Sequence, residues 1–169
     1  MKRAFAALIC FAAIASFGAS ATVDCAKRYT EEGVFSVCPP TGWELRSIMG
    51  VKYKLFIEAE KDGASANINF IEESFDGSLK DYVDLNLKAL PNAFDDFKLI
   101  KREKFSSKNV KGERLVIENT QFGLALRQTL YIFELKGSTK MVIACTATAP
   151  RSAAYVSIFE DMINSFQKL

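Results

Sequence analysis

The sequence predicts an α+β fold in which a central antiparallel sheet of about six to eight strands is flanked by helices on both faces. Two observations carry this prediction. Short segments of alternating apolar and polar residues fill most of the chain between residues 34 and 149. Two longer segments, residues 78–90 and 150–167, instead repeat apolar residues at helical spacing. A run of strands with one helix in its middle and one at its end is typical of antiparallel α+β domains.

The first 21 residues have the three parts of a secretory signal peptide. Two basic residues precede an apolar run over residues 4–17, and Ala19-Ser20-Ala21 forms a small-residue cleavage site. A membrane anchor would need about 20 apolar residues, and this run ends too early. We therefore expect cleavage after Ala21 and export to the periplasm or the medium. An N-terminal segment, residues 22–33, would then precede a single domain, residues 34–169.

The charge balance of the predicted mature chain is neutral. Cleavage removes two of the 22 basic residues and none of the 20 acidic residues, which leaves 20 of each sign. A neutral chain gives no reason to expect nucleic acid or an anionic membrane as a partner. No second long apolar segment follows, so we expect no stable membrane insertion after cleavage.

Four short strands are predicted before the first helix. Pro39 and Pro40 must end the first of them because proline has no N–H to donate to a ladder. A Thr-Gly turn leads to the second strand, and Lys61-Asp62-Gly63 is a turn between the third and the fourth, which form a hairpin. The segments are VFSVC, WELRS, residues 53–60 and residues 66–70.

The second half of the chain predicts a helix, four longer strands and a final helix. Ser78 is the expected N-cap of the first helix, and Pro91 is expected to close it. The third of the four strands is apolar on both sides, so it should lie in the interior of the sheet. Pro150 suits the first turn of the final helix. The four strands are FKLIKREKF, VKGERLVIEN, LALRQTLYIFEL and TKMVIACTATA.

Three cysteines remain in the predicted mature chain, and export permits a disulfide between two of them. We predict the pair Cys25 and Cys38, which lie close together around the start of the domain. A bond from Cys38 to Cys145, or no disulfide, are the alternatives. Cys145 lies within a strand-like apolar run, where a buried and inert thiol is the ordinary expectation.

The sequence offers no arrangement of residues for catalysis. It contains no histidine, which excludes Ser-His-Asp and Cys-His nucleophiles and histidine-based zinc sites. Neither a Cys-x-x-Cys pair nor a glycine-rich phosphate loop occurs. The densest carboxylate group, Glu72-Glu73-x-x-Asp76, lacks the ordered ligand series of a calcium loop, so we expect solvated residues there. We predict no enzyme activity, no metal and no cofactor.

Two features could contact a partner. A basic stretch over residues 98–111 could present a positive hairpin, although charges on an edge strand also discourage aggregation, which is our main interpretation. Phe122 lies in a predicted turn; we expect it to pack in the core, and a partner contact is the alternative. The basic residues are Lys98, Lys101, Arg102, Lys104, Lys108 and Lys111.

The order of these landmarks resembles the PsbP/DcrB-like family. The domain opens with FSVCPPTGWE, the segment GSLKDYVDLNLKAL contains a helix after a short polar loop, an interior strand contains V-K-G-E-R, and the last helix ends in I-N-S-F. The signature residues are Pro40, Gly42, Trp43, Gly112 and Phe166. The resemblance implies a PsbP-like α/β/α sandwich. It also implies the functions of that family, whose members are mostly accessory or binding proteins rather than enzymes. This sequence lacks the metal-ligand histidines of some plant members, so no cofactor is carried over.

The expected function is therefore that of a non-catalytic exported protein of the bacterial envelope that contacts another protein. The alternative is a module that binds a small ligand in a cleft between the sheet and a helix. In that case Tyr53, Phe70, Tyr82 or Tyr155 could line an apolar wall. Core packing is the simpler expectation for these aromatic residues, because each lies on the periodic apolar side of its element.

Overall fold

The structure, a computed structural model, describes residues 22–60 and 63–169. The predicted signal peptide and two residues of the predicted Lys61-Asp62-Gly63 turn lie outside this part of the chain. The described strands and helices follow in chain order: β1 (Tyr29–Glu31), β2 (Phe35–Val37), β3 (Glu44–Arg46), β4 (Leu55–Ile57), β5 (Asn67–Ser74), α1 (Leu79–Ala93), β6 (Asp95–Ser106), β7 (Lys111–Gln121), β8 (Leu124–Glu134), β9 (Thr139–Thr148), α2 (Val156–Ser165) and β10 (Gln167–Lys168).

Seven of the strands form one antiparallel sheet in the order β3-β4-β5-β9-β8-β7-β6. Each of its six strand pairs is antiparallel. The predicted central antiparallel sheet is confirmed. Strand β8 lies between β7 and β9, as its apolar residues on both sides predict. Strands β4 and β5 form the predicted hairpin, with Phe56 opposite Ile68.

A second, three-stranded sheet was not predicted. Strand β2 is fully buried and pairs with β1 on one side and with β10 on the other. The prediction that the last helix continues to residue 167 is wrong, because the chain leaves the helix at Phe166 and adds a short strand beside β2. This pairing places the last residues of the chain beside the first part of the domain.

Helix α1 begins as predicted and ends later. The Ser78 hydroxyl accepts a hydrogen bond from the Asp81 N–H at 3.1 Å, which caps the first turn. The prediction that Pro91 closes the helix is wrong, because the helix continues through Pro91 to Ala93. Proline removes a single N–H donor there, and the next turn is completed by the Phe94 N–H, which donates to the Leu90 carbonyl at 3.1 Å.

The last helical segment begins as a 3-10 helix. Residues Ala149–Tyr155 have 3-10 geometry, and α-helical geometry starts at Val156. Pro150 lies in the first turn of this segment, as expected. The Ser152 hydroxyl donates to the Ala149 carbonyl at 2.9 Å, which satisfies an acceptor of that first turn.

The buried side chains form two clusters. The large core contains Phe159 and Met162 from α2 together with Phe133 and Ile143 from β8 and β9. The small core consists of Tyr82, Val83, Leu115, Ile117, Leu130, Ile132, Val142 and Ala144, the first two of which come from α1. Along β8 and β9, neighbouring residues enter the two cores in turn, as expected where side chains alternate across a sheet.

Candidate functional site

The tip of the β7–β8 hairpin has an unusual residue in its turn. Gln121 pairs with Leu124, so Phe122 and Gly123 form a two-residue loop. Their φ angles are +51° and +77°, both in the left-handed region that a type I′ turn requires. Asn-Gly is the favoured sequence for this turn, whereas a phenylalanine there brings its Cβ too close to the following carbonyl. Phe122 therefore occupies a position that backbone energetics disfavour.

The side chain of Phe122 has no compensating contact within the described chain. Its exposed fraction is 102%, so the prediction that it packs in the core is wrong. Its neighbour Leu124 is 39% exposed, and residues 119–126 carry no charge. The hairpin tip, as we name residues 121–124, is thus an uncharged projection headed by an aromatic ring.

The predicted basic stretch does not form one positive surface. It occupies the edge strand β6 and the turn that follows, with an irregularity between Leu99 and Lys101. Consecutive side chains point to opposite sides of the strand, which separates Lys101 from Arg102. The Arg102 guanidinium donates to Asp84 and to Glu113, each at 2.6 Å, so acidic groups balance it.

The other basic residues of that stretch pair with acidic residues, lie opposite them or are exposed. Lys101 pairs with Glu103 at 2.7 Å. Lys98 lies opposite Glu118, and Lys104 opposite Glu113, in the ladder between β6 and β7. Lys108 is exposed in the connection between these strands, and Lys111 is exposed at the start of β7. Mixed charges along an edge strand match the interpretation that they prevent edge-to-edge association.

The carboxylates of the Glu72-Glu73-x-x-Asp76 group do not converge. Glu72 accepts hydrogen bonds from the Tyr53 hydroxyl and from Lys52 Nζ, the latter at 3.0 Å. The Tyr53 hydroxyl, with Lys52 adding to it, lowers the pKa of Glu72. Glu73 accepts from the Tyr82 hydroxyl at 2.6 Å. Among residues 22–60 and 63–169, no group of three histidine, cysteine or acidic side chains could hold a metal ion.

The structure joins Cys25 to Cys38 through a disulfide bond. Cys38 is buried, whereas Cys25 is exposed. The Arg28 guanidinium donates to the Ser165 carbonyl at 2.9 Å and lies 3.0 Å from Cys38 Sγ, which holds the N-terminal segment against the end of α2. Cys145 is a free, fully buried thiol, and burial raises its pKa well above the ordinary value. It is therefore poorly placed to react.

The signature residues of the sequence have structural roles. Pro40 is buried, and Gly42 adopts a φ of +81° in the turn after it. Trp43 is half-buried and lies edge-on to Tyr155 and Phe159, with ring centroids 6.0 and 6.4 Å away. Phe166 is fully buried and stacks on Phe35 at 5.3 Å. Gly112 lies in β7, where the β8 backbone passes close to it.

A cavity lies between α1 and the sheet. It has a volume of about 160 Å³, and Tyr82 is one of its lining residues. Of the four aromatic residues that could have lined such a cleft, the other three, Tyr53, Phe70 and Tyr155, belong to the large core, which was the simpler expectation. A more polar cavity of about 250 Å³ lies between α2 and the strands β7 and β8, where Arg114 and Arg127 face Phe159. Both arginines are already paired, with Glu103 and Glu118 among their partners.

Comparison with solved structures identifies the fold as PsbP-like. No family model and no curated protein sequence matches the chain. The solution structure of cyanobacterial PsbP (CyanoP) from Synechocystis has a TM-score of 0.63 and 15% identity, and the match covers 90% of this chain and 96% of that one.

Two further structures share the fold. LpqN, involved in cell envelope biogenesis of Mycobacterium tuberculosis, has a TM-score of 0.62 and 10% identity, over 83% of this chain and 87% of its own. The Ran-binding protein Mog1p of Saccharomyces cerevisiae has a TM-score of 0.58 and 12% identity, over 83% and 94%. At these identities the likeness establishes the fold alone. No helix in the described part of the chain is long and apolar enough to cross a membrane.

Proposed function

We propose that this chain is an exported, non-catalytic accessory protein that binds a protein partner through the hairpin tip. The single observation that carries this proposal is Phe122, a fully exposed aromatic side chain held in a left-handed backbone conformation. A left-handed conformation costs a residue with a Cβ about 1–2 kcal/mol. Strain at an exposed position is a reason to infer function, because nothing in the free protein offsets it.

The chemistry of the hairpin tip defines the kind of partner. Residues 119–126 are uncharged, so long-range electrostatic attraction contributes little there. An aromatic ring on a rigid two-residue turn loses little conformational entropy on binding, and such rings are frequent energetic centres of protein interfaces. The partner is thus a protein with an apolar pocket that fits one phenylalanine side chain.

Two relatives in fold give this proposal independent support. Mog1p is a Ran-binding protein, and LpqN is involved in cell envelope biogenesis. We extend from them only the class of function, a binding or accessory role. We also infer that α1 and α2 cover opposite sides of the seven-stranded sheet, which the alternation of β8 and β9 residues between the two cores supports.

Export and the lack of catalysis are parts of the same proposal. The pattern of residues 1–21 predicts a signal peptide, and a disulfide between Cys25 and Cys38 suits an oxidising compartment. The sequence has no histidine, and Glu72 and Glu73 each accept a hydrogen bond from a buried tyrosine. Mass spectrometry of the mature N-terminus checks cleavage after Ala21.

The test compares wild-type protein with a Phe122→Asn variant. Asparagine suits the first position of a type I′ turn, so the variant should be more stable by about 0.5–1 kcal/mol in urea denaturation. At the same time, recovery of the cross-linked partner from the native host should fall at least about tenfold, the loss expected for a central interface residue. If the variant is more stable and yet recovers less partner, the loss of binding cannot be caused by a loss of folding.

Met49→Asn is the matched control. Met49 is also fully exposed on a turn, at the connection between β3 and β4, and its replacement should leave the partner recovery unchanged. If Phe122→Asn recovered as much partner as the wild-type protein does, the assignment of the hairpin tip as the binding site would be refuted. Recovery of lipid vesicles in place of a protein partner, dependent on Phe122, would refute the partner class.

A further inference from the structure

We propose that the cavity between α1 and the sheet binds a neutral hydrocarbon group of about the size of a benzene ring. The cavity is lined mainly by apolar side chains of strands β5, β7, β8 and β9 and of helix α1. The cavity is partly open at the surface, and its volume of about 160 Å³ is close to the roughly 150 Å³ of an engineered apolar cavity that takes up benzene. This site is separate from the hairpin tip.

Some of the residues that line the cavity are less completely buried than large-core residues of the same strands. Leu130, Val142 and Ala144, which line the cavity, keep exposed fractions of 9%, 8% and 8%. Phe133 and Ile143, which belong to the large core, are completely buried. The small core is therefore slightly open toward the cavity at these three residues, while Leu115 and Ile117, which also line it, are completely buried.

Helix α1 accounts for this difference. Of its 15 residues, Tyr82 and Val83 are buried, while Leu85 points outward with 55% exposure. Leu90 lines the cavity without filling it. A helix that buries so few of its side chains leaves room beneath it that a ligand can occupy.

The polar groups of the cavity wall already have hydrogen-bond partners. The Tyr82 hydroxyl donates to Glu73 at 2.6 Å, and Asn86 Nδ2 donates to the Tyr82 carbonyl at 2.9 Å. Gln128 accepts from Asn119 at 2.9 Å and donates to Thr146 at 3.1 Å. A buried water needs two to four polar partners, and this wall offers few that are still available. The occupant that matches such a wall is apolar and uncharged.

The test uses toluene and 1-octanol as probes, one a free ring and the other a chain end. With either probe, the melting temperature of the wild-type protein should rise by several degrees, because a ligand that binds only the native state stabilises it. Chemical shift changes should appear in the methyl signals of the small core and be absent from those of the large core. A response to toluene alone would identify a free ring as the occupant. A response to 1-octanol alone would identify a chain end.

Ala144→Leu is the blocking variant, because the added atoms would fill the cavity from its floor. It should abolish the probe-induced rise while leaving the probe-free stability equal or higher. Ala125→Leu, the same substitution at an exposed position of β8, should respond to the probes as the wild type does. If Ala144→Leu does not fold, Val142→Ile narrows the same floor by one methyl group. No response in the wild type, or an equal response in the blocked variant, would overturn the proposal.

Discussion

Gly112 shows how one missing side chain can determine a strand pairing. A Cβ built at this position would lie 2.0 Å from the Ile132 carbonyl oxygen and 3.0 Å from a ring carbon of Phe105. Real Cβ atoms do not approach backbone oxygens so closely, and neither the β8 backbone nor the packed ring can move away easily. The glycine therefore permits the close contact of β7 with β8.

We expect Gly112→Ala to lower the free energy of unfolding by about 3 kcal/mol or more, measured by urea denaturation. The control is Gly137→Ala, where φ is +56° and a Cβ would meet no atom within 4 Å. There the backbone conformation alone should cost about 1–2 kcal/mol. If both variants lost the same amount, the close approach of Ile132 would not be the cause.

Local patterns in the sequence predict the structural roles of some residues but not of others. The cap at Ser78 and the stop of a strand at Pro39 follow from the chemistry of the residues themselves. The exposure of Phe122 does not, because an aromatic residue beside glycine suits a buried loop as well as a projecting turn. What decides is the two-residue register between Gln121 and Leu124, which the pairing of two long strands sets.

The N-terminal segment is an element held by several weak contacts and one covalent bond. The Asp24 N–H donates to the Pro39 carbonyl at 2.8 Å, and the Thr41 N–H donates to the Thr22 carbonyl at 3.1 Å. The disulfide between Cys25 and Cys38 closes a loop with a sequence separation of 13. A loop of about this length stabilises a fold by roughly 3 kcal/mol through the unfolded chain.

Reduction of the disulfide should therefore lower the free energy of unfolding by about 2–3 kcal/mol in urea denaturation. Cys25→Ser should lose a similar amount, since Cys25 is exposed and its replacement leaves no cavity. The variant also serves as the control, because added reductant should not destabilise it further. Equal stability of the oxidised and reduced wild-type protein would show that the disulfide contributes nothing to the stability of the fold.

Elements differ in how far the sequence alone predicts them. Strands β6 to β9 are each ten or more residues long, and their existence follows from alternating or continuous apolar runs bounded by turns. Strand β10 has two residues and exists because β2 offers it an edge, a long-range contact that no local pattern records. The basic residues of β6 look like one patch in the sequence, but consecutive side chains of a strand point to opposite sides, which separates them.

At the scale of the whole molecule, the tyrosines make the stability of the fold sensitive to alkaline pH. The sequence has five tyrosines, and the pKa of each is raised in the fold. Burial is the largest cause in every case, and a hydrogen bond donated to a glutamate adds to it for four of them. The acceptors are Glu31 for Tyr29, Glu72 for Tyr53, Glu73 for Tyr82 and Glu58 for Tyr155.

Because the pKa values of the tyrosines are raised in the fold, the protein becomes less stable at high pH. Burial raises the pKa of Tyr29 and that of Tyr155 to about 12, while an unfolded tyrosine titrates near about 10. The folded chain therefore holds these protons more tightly, so their contribution is complete below about pH 10 and is lost as the pH rises through the folded values. We expect the free energy of unfolding to fall steadily above about pH 10.

Ultraviolet absorbance of tyrosinate checks this prediction directly. In the native protein, tyrosine ionisation should begin well above the pH at which it begins in concentrated urea. If the protein unfolds before its tyrosines ionise, their ionisation should coincide with the loss of structure. A Tyr29→Phe variant should lose one of the five titrating groups and should resist alkali somewhat better, because its unfolded chain has one fewer proton to release. If the native and the urea-unfolded chains ionised at the same pH, burial of the tyrosines and their glutamate hydrogen bonds would not contribute to stability as the structure implies.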